Sequence, residues 1–564
     1  MPLIQKRWLL KRTNKDFLEY FARELDMSPL VAQVLVNRDI KTTEQARYFL
    51  HSTIDSIGDP FRLSGMEKAT SEICRAVAHS EKIFVSGDYD TDGTTAAAIL
   101  TETLRGMGAS VECFIPSRFK DGYGFHVQAV ERARELGCSL IVTVDCGISS
   151  YAAVEAARQY GIGVIITDHH EPYVDGGGSE LPRAVSIINP KIEGDNSPFP
   201  NLTGAGVALM LSRALLGRMD KGLLDMAALG TIADVAPLTG ENRLIVKDGL
   251  KVLHETRRPG LKALIKCSGI NGRIPEPDML SYMLIPKINA AGRMDDASNV
   301  VRLLLTEDLN EAQTLAEYLT KLNQERQKIE EEVFNSALAK LGAIKPHGRV
   351  IVVGDEGWHE GVIGIVASKL VDRFNLPSIV FSIKGGIARG SARSVPDIDI
   401  CKAISSCTQH IIQFGGHKQA AGVKLKATNI PLFEQAVNEF VEGARDADSS
   451  PTITIDVDCF IKDVNMKLMS ELSRLAPYGC GNPDPIFGSR GLLAIKPRIV
   501  GKNHLKLKLG HNGFVIDAIG YDMGGLIDDI ENSECVDAAF TPIINDYNGG
   551  RCVQLNIKAL RASE

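Results

Sequence analysis

Short runs of Val, Ile and Phe, each ending in polar residues, recur from residue 82 to residue 188. The runs at 140–144 and 163–167 are apolar at consecutive rather than alternate positions, the mark of strands buried on both faces of a parallel sheet, and those at 82–86, 111–116 and 184–188 read as further strands. Residues 152–160 have helical composition, so 139–172 reads as a βαβ unit. Strands of such units open at their carboxyl ends onto a crevice. That brings Asp145 and the run Asp168, His169, His170 to one edge.

The pattern changes further on. Residues 309–341 contain neither Gly nor Pro, and Ala312, Leu315, Leu319, Leu322, Ile329, Val333, Ala337 and Leu341 recur at helical spacing. At about 1.5 Å per residue this predicts one helix of roughly 50 Å. A coiled-coil seam is the rival, and Arg326 interrupts it. A strand at 349–353, a helix at 363–374 and a strand at 378–382 open a second, smaller α/β domain. From 451 onward short strand-like runs follow, two joined through His511-Asn512-Gly513 and two through Asn548-Gly549-Gly550, which fits an OB-type barrel. Residues 1–55 read as a small helical cap on the main domain, with helix starts at Ser28-Pro29 and Thr42.

Composition narrows the class. A chain of 564 residues exceeds one core, and about 150 residues per domain gives three or four. No run of 18 apolar residues is present and the first residues lack a secretory cleavage site, so a cytoplasmic location is expected. Eleven scattered cysteines without a CxxC pair argue against a disulfide framework and a zinc ribbon. A net charge of -7 excludes a broadly basic nucleic-acid coat. Any nucleic acid must be held in a local groove, with metal offsetting acidic positions.

Candidate chemistry gathers at the strand ends. Asp88, Asp90 and Asp92 alternate in the loop after the first run, so in an extended backbone they project to one side. A calcium loop is one rival, but its twelfth position is Ile99 and a strand precedes it. An acidic turn capping the next helix is the plainer alternative. Carboxylates and imidazoles brought together by two strand ends suit divalent metal. Asp234 is an isolated acid in an apolar stretch and needs a partner. Cations stand at Arg118 and Lys120 in a glycine-bearing loop, while His359, Ser391, Arg393 and His417 lie near glycines in the smaller domain. Hydroxyl, guanidinium and imidazolium groups all donate to phosphate oxygens.

The ordered set Asp88-Tyr-Asp-Thr-Asp-Gly93, Val144-Asp-Cys-Gly147, Thr167-Asp-His-His170 and Ile232-Ala-Asp-Val-Ala-Pro237 resembles the DHH phosphoesterase superfamily. The likeness continues through Asn289-Ala-Ala-Gly-Arg293, Gly357-Trp-His359, Gly390-Ser-Ala-Arg393 and Phe414-Gly-Gly-His417 and spans nearly the whole chain. It implies two divalent ions, Mn²⁺ or Mg²⁺, on Asp90, Asp92, Asp145, His169 and Asp234, with Asp88 and His170 beside them as further ligands or substrate contacts. It also implies a phosphate site at His359, Ser391, Arg393 and His417, helped by Arg118 and Arg293. The expected organisation is an α/β multidomain chain: a helical cap (1–55), a parallel-sheet DHH catalytic domain (56–305), a long connector helix (306–342), a smaller α/β substrate-binding domain (343–450) and an OB-fold-like barrel (451–564). The implied function is a metal-dependent 5′ to 3′ exonuclease degrading single-stranded DNA in repair and recombination, with a single-strand-binding protein and a helicase as partners. The alternatives are a phosphoesterase of short oligonucleotides or cyclic dinucleotides and a non-cutting single-strand-binding scaffold.

Overall fold

The computed structural model describes residues 7–563 apart from 119–120, 123, 173–180, 195–196, 271, 343–348, 445–451 and 546–549. Lys120 and part of the turn at Asn548-Gly549 lie outside the described residues.

Strands β1 (Lys82–Ser86), β2 (Ser110–Phe114), β3 (Leu140–Val144), β4 (Gly163–Thr167) and β5 (Ser186–Ile188) form one sheet in the order β2-β1-β3-β4-β5. Every pairing in it is parallel. Both faces are covered, as the unalternating runs require: Ile83, Val85 and Val142 pack into one apolar core and Phe84, Ile141 and Ile166 into another. The chain runs outward from β1 to β2 and then crosses to β3 on the other side of β1. The strand order therefore reverses between β1 and β3, where ligands bind in open α/β sheets. Helices α1 (Thr91–Gly106), α2 (Gly204–Leu216), α3 (Leu224–Ala233) and α4 (Gly240–His254) build the larger core.

Helix α5 (Leu309–Leu341) runs unbroken for 33 residues. Its first half buries Ala312, Leu315, Leu319 and Leu322 against the parallel-sheet domain, and its second half buries Val333 and Ala337 against the smaller domain. One stiff element thus belongs to both cores. The interruption at Arg326 is buried rather than exposed: its guanidinium is held by Asn323 and Glu330, and Glu330 also pairs with Lys369 at 2.5 Å. The smaller domain places β6 (Ile351–Glu356), β7 (Ser378–Lys384), β8 (Ile387–Arg393), β9 (Gln413–His417) and β10 (Ala420–Lys426) in the order β9-β10-β8-β7-β6. Helix α6 (Ile363–Phe374) lies on one face of it, over β7 and β8.

Beyond 451, strands Phe487–Val500, His504–His511, Phe514–Gly520, Cys552–Ala562 and Val536–Asn545 pair in that order, and the last pairs back with the first to close a five-stranded barrel. The expected hairpin at Asn512-Gly513 is present, with φ of 48° and 82° as its tight turn requires. The helical cap is placed differently from expectation. Phe21, Val31, Leu35 and Leu50 share one core with Leu472, Phe487, Leu507 and Phe540, so the cap packs mainly on the barrel, not on the parallel sheet. Residues Arg7–Leu10 also pair in parallel with Thr452–Ile455. The first and last segments therefore fold as one unit, a long-range pairing that local pattern does not carry.

Candidate metal centre

The acids after β1 do not sit in an extended segment. Strand β1 ends at Ser86 and α1 starts at Thr91, so Asp88 and Asp90 occupy the corner and Asp92 the first helical turn. They converge because strand turns into helix, not through alternation. Asp90 caps α1 by accepting from the Gly93 amide at 3.0 Å, and it stays exposed. Asp92 is buried and accepts from the amides of Gly204 and Ala205, at 2.7 and 2.9 Å, at the start of α2. Asp145 follows β3 with φ of 60°, a left-handed backbone that turns its carboxyl back over the sheet edge. Gly204 must lack a side chain here, since a Cβ would lie 2.4 Å from that of Asp145.

The DHH run divides its labour. Asp168 is buried and accepts from the amides of Ile148, His169 and His170 and from Nδ1 of His170 at 2.7 Å. Burial opposes its charge, but these donors outweigh burial and hold its carboxyl below the usual range. Burial also opposes the His170 imidazolium, yet the Asp168 carboxylate raises it to about 9. His169 is pushed the other way by burial and stays neutral, the form that ligates metal.

Three groups of ligand atoms result, each with its members within 4.8 Å of one another: Asp88, Asp90 and Asp145; Asp92, His169 and Asp234; and Asp145, His169 and His170. Nε2 of His169 lies 3.0 Å from Oδ1 of Asp145, and these two atoms and Oδ1 of Asp88 are buried without hydrogen bonds. Burial followed by neighbouring acids raises Asp88 and Asp145 well above the carboxylate range, and Asp92 and Asp234 to about 6. Orphaned carboxylate oxygens beside a neutral imidazole nitrogen fit hard and intermediate divalent cations.

A cationic group abuts the acidic one. Tyr89, between Asp88 and Asp90, carries the Arg118 guanidinium 5.7 Å from its ring centroid. Arg293 is lowered to about 10, by burial first and then by Arg118, Arg326 and Arg393. Its carbonyl approaches Gly361 of the smaller domain so closely that a Cβ there would stand 2.0 Å away. A Cβ on Gly364, in the first turn of α6, would meet Ser391 Oγ at 2.9 Å and Arg393 Nη2 at 3.3 Å. Nδ1 of His359 accepts from the Gly361 amide at 3.0 Å, which leaves Nε2 as the protonated nitrogen of the neutral ring. His417 stands in register with Ala420, and Ala420 with Arg393, so His417 and Arg393 share one sheet face. Sequence reasoning missed Tyr89 as a support for Arg118. It also missed Gly204 and Ala205, whose amides hold Asp92.

A parallel sheet with acids and a DHH run at its switch point, joined by a long helix to a second sheet that carries Ser, Arg and His, defines a DHH phosphoesterase. Family models agree: the DHH family N-terminal domain matches residues 82–231, the DHHA1 domain 347–443 and the RecJ OB domain 455–559. The chain belongs to the RecJ family. It is 39% identical to the single-stranded-DNA-specific exonuclease RecJ of Bacillus subtilis, over 99% of this chain and 71% of that protein. It is 33% identical to RecJ of Escherichia coli, over 94% and 96% of the two. The structure of RecJ from Thermus thermophilus with Mn²⁺ superposes with a TM-score of 0.85 at 30% identity, covering 99% of this chain and 80% of that one. The same protein with Mg²⁺ gives 0.78 at 29% identity, covering 99% and 79%.

Proposed function

We propose that this protein is a metal-dependent exonuclease that degrades single-stranded DNA from its 5′ end, with Asp88, Asp90, Asp92, Asp145, His169 and Asp234 holding two divalent ions. The observation that carries the reading is the direct abutment of two opposite clusters, an acidic one with orphaned buried ligand atoms and a cationic one of Arg118, Arg293 and Arg393. Bound there, Mn²⁺ or Mg²⁺ supplies Lewis acidity and an activated water for phosphodiester hydrolysis. Asp145 would serve both ions, since it belongs both to the group with Asp88 and Asp90 and to the group with His169.

The residues of the chain do the rest. Asp168 fixes the His170 ring and keeps it charged, so that His170 donates to a phosphate oxygen beside the ions. Ser391, Arg393, His417 and His359, with Arg118 and Arg293, grip the terminal 5′-phosphate and set the next phosphodiester over the acids. Breaking the P–O3′ bond releases a nucleotide and leaves a phosphate on the shortened strand. The same grip then serves every round. The barrel collects the strand through local cations, and a single-strand-binding protein and a helicase supply it in the cytoplasm; no helix among the described residues is long and apolar enough to cross a membrane.

Digestion of single-stranded DNA labelled at one end or the other, with Mn²⁺, Mg²⁺ or chelator, tests the reading. Release of 5′-label first, and only with metal, is expected. Release from the 3′ end, or turnover in chelator, overturns it.

A further inference from the structure

Past the phosphate-gripping side chains, the exposed face of the smaller sheet continues into a shelf that an ordinary strand end does not use. In β8, Arg389, Ser391 and Arg393 alternate outward while Ala388 and Ala392 are buried. Across the register, Lys424 stands beside Arg389, Gly422 beside Ser391 and Ala420 beside Arg393. One strand further, Gln413, Gly415 and His417 continue these rows. The middle row is bare: a Cβ on Gly415 would meet nothing within 4 Å, and one on Gly422 only the Gly415 carbonyl at 3.9 Å. Helix α6 covers the neighbouring strands and stops short of this floor.

Arg389 and Lys424 are like charges directly opposite, an arrangement that costs stability in a sheet. Glu360 bonds Arg389 at 3.1 Å and so offsets one of the two cations. Neither packs in a core. They lie one strand repeat, about 7 Å, from the row of Ser391 and two repeats, about 13 Å, from the row of Arg393 and His417. A strand ending in a monophosphate has nothing beyond that phosphate to place there, so the surplus charge suits a longer anionic end.

We infer that the Gly415–Gly422 floor with Arg389 and Lys424 is a second anion subsite, and that the enzyme accepts strands carrying a 5′-triphosphate, whose β- and γ-phosphates lie on it. The inference rests on the exonuclease reading above. Hydrolysis is unchanged in kind: water adds to the first internucleotide phosphorus, the P–O3′ bond breaks, and the first product is a nucleoside 5′-triphosphate.

The test compares one oligodeoxynucleotide bearing a 5′-hydroxyl, 5′-monophosphate or 5′-triphosphate. Turnover is followed with Mn²⁺ and binding is followed separately in chelator. The wild type should bind the triphosphate strand tightest and release nucleoside triphosphate first. Lys424→Gln, on an exposed strand face, should weaken the triphosphate strand about tenfold and change the monophosphate strand less than about twofold. Inorganic tripolyphosphate should compete in the binding assay with the wild type and lose that competition with the variant. A triphosphate strand bound no better than the hydroxyl strand, or equal losses on all three strands, overturns the subsite. Absence of any release from the monophosphate strand instead overturns the exonuclease reading, and the binding arm in chelator still decides the subsite.

Discussion

Asp145 is buried, left-handed in backbone and surrounded by Asp92, Asp90, Asp88 and Asp168. Burial first and these acids next raise its carboxyl above the unfolded value, so the metal-free fold favours the protonated form. A raised carboxyl contributes stability at low pH that is lost as pH rises through the folded value. Asp145→Asn should therefore melt higher than wild type at pH 8 in chelator, with the difference closing as pH falls. At about 2 to 4 °C per kcal/mol the shift is measurable by thermal unfolding. Mn²⁺ should stabilise the wild type more than the variant, and turnover should disappear. A variant that melts lower in chelator, or keeps turnover, contradicts the shared-ligand role. Arg393 makes a separate prediction. Burial first and the neighbouring Arg118 next lower its proton affinity. Arg393→Ala should raise KM for 5′-phosphorylated strands by roughly ten- to a hundredfold, the value of a charge-assisted bond, and hardly affect 5′-hydroxyl strands. Equal losses on both would make Arg393 a general backbone contact. These acids and cations were legible in the sequence because each ends a strand or borders a glycine. Tyr89 and Gly204 were not, since their value lies in what they touch across the fold: Arg118 in one case, Asp92 and Asp145 in the other.

At the scale of elements, the long helix was legible from its periodicity, and its bounds follow from the absence of Gly and Pro between Asp308, whose side chain caps it, and Gly342. What periodicity misread is Arg326. A charge in the stripe looked like the end of a seam, yet Glu330 one turn later closes a buried pair with it, and Lys369 of α6 joins from the smaller domain. This trio stands where the helix passes from one core to the other, so it should set how the cationic cluster faces the acids. Removing one partner of a buried pair strands the other, at about 3 to 5 kcal/mol, whereas replacing both with apolar residues is often neutral. Glu330→Ala should thus destabilise strongly in denaturant unfolding, and Arg326→Leu with Glu330→Leu should restore most of the loss. If the double variant is stable but turns over slowly, the trio positions the domains. If the single variant loses no stability, the pair is ornamental.

For the whole molecule, the fold class was readable from strand patterns, but the union of its two ends was not. The barrel cannot be cut away to ask what it does: it shares a core with the helical cap, and Arg243 of α4, almost fully buried, donates to the carbonyls of Phe49, Arg474, Leu475, Ala476 and Pro477. Truncation at 451 would leave that guanidinium without four of its five acceptors and expose the cap. Substitution on the barrel surface is the sound experiment. Of the barrel cations, Lys508 is offset by Asp517 at 3.4 Å, while Arg498 and Lys506 are cross-strand neighbours without an ion-pair partner among the described residues. At the far end of the strand that carries Lys506, Phe460 is exposed and stacks on His511 with ring centroids 6.0 Å apart, with the Lys462 ammonium 5.5 Å from its ring. Because the protein is acidic overall, attraction of a strand to this surface must be short-ranged and carried by such cations. On single strands the logarithm of the binding constant falls with the logarithm of salt by about 0.7 per neutralised phosphate. Arg498→Ala with Lys506→Ala should therefore lower that slope by about 1.4 on a long single strand, weaken its binding, and leave hydrolysis of a very short one unchanged. Anisotropy titrations at several salt concentrations read the slope directly. An unaltered slope and affinity in the folded double variant would mean that the barrel braces the cap and the Arg243 loop and takes no part in holding DNA.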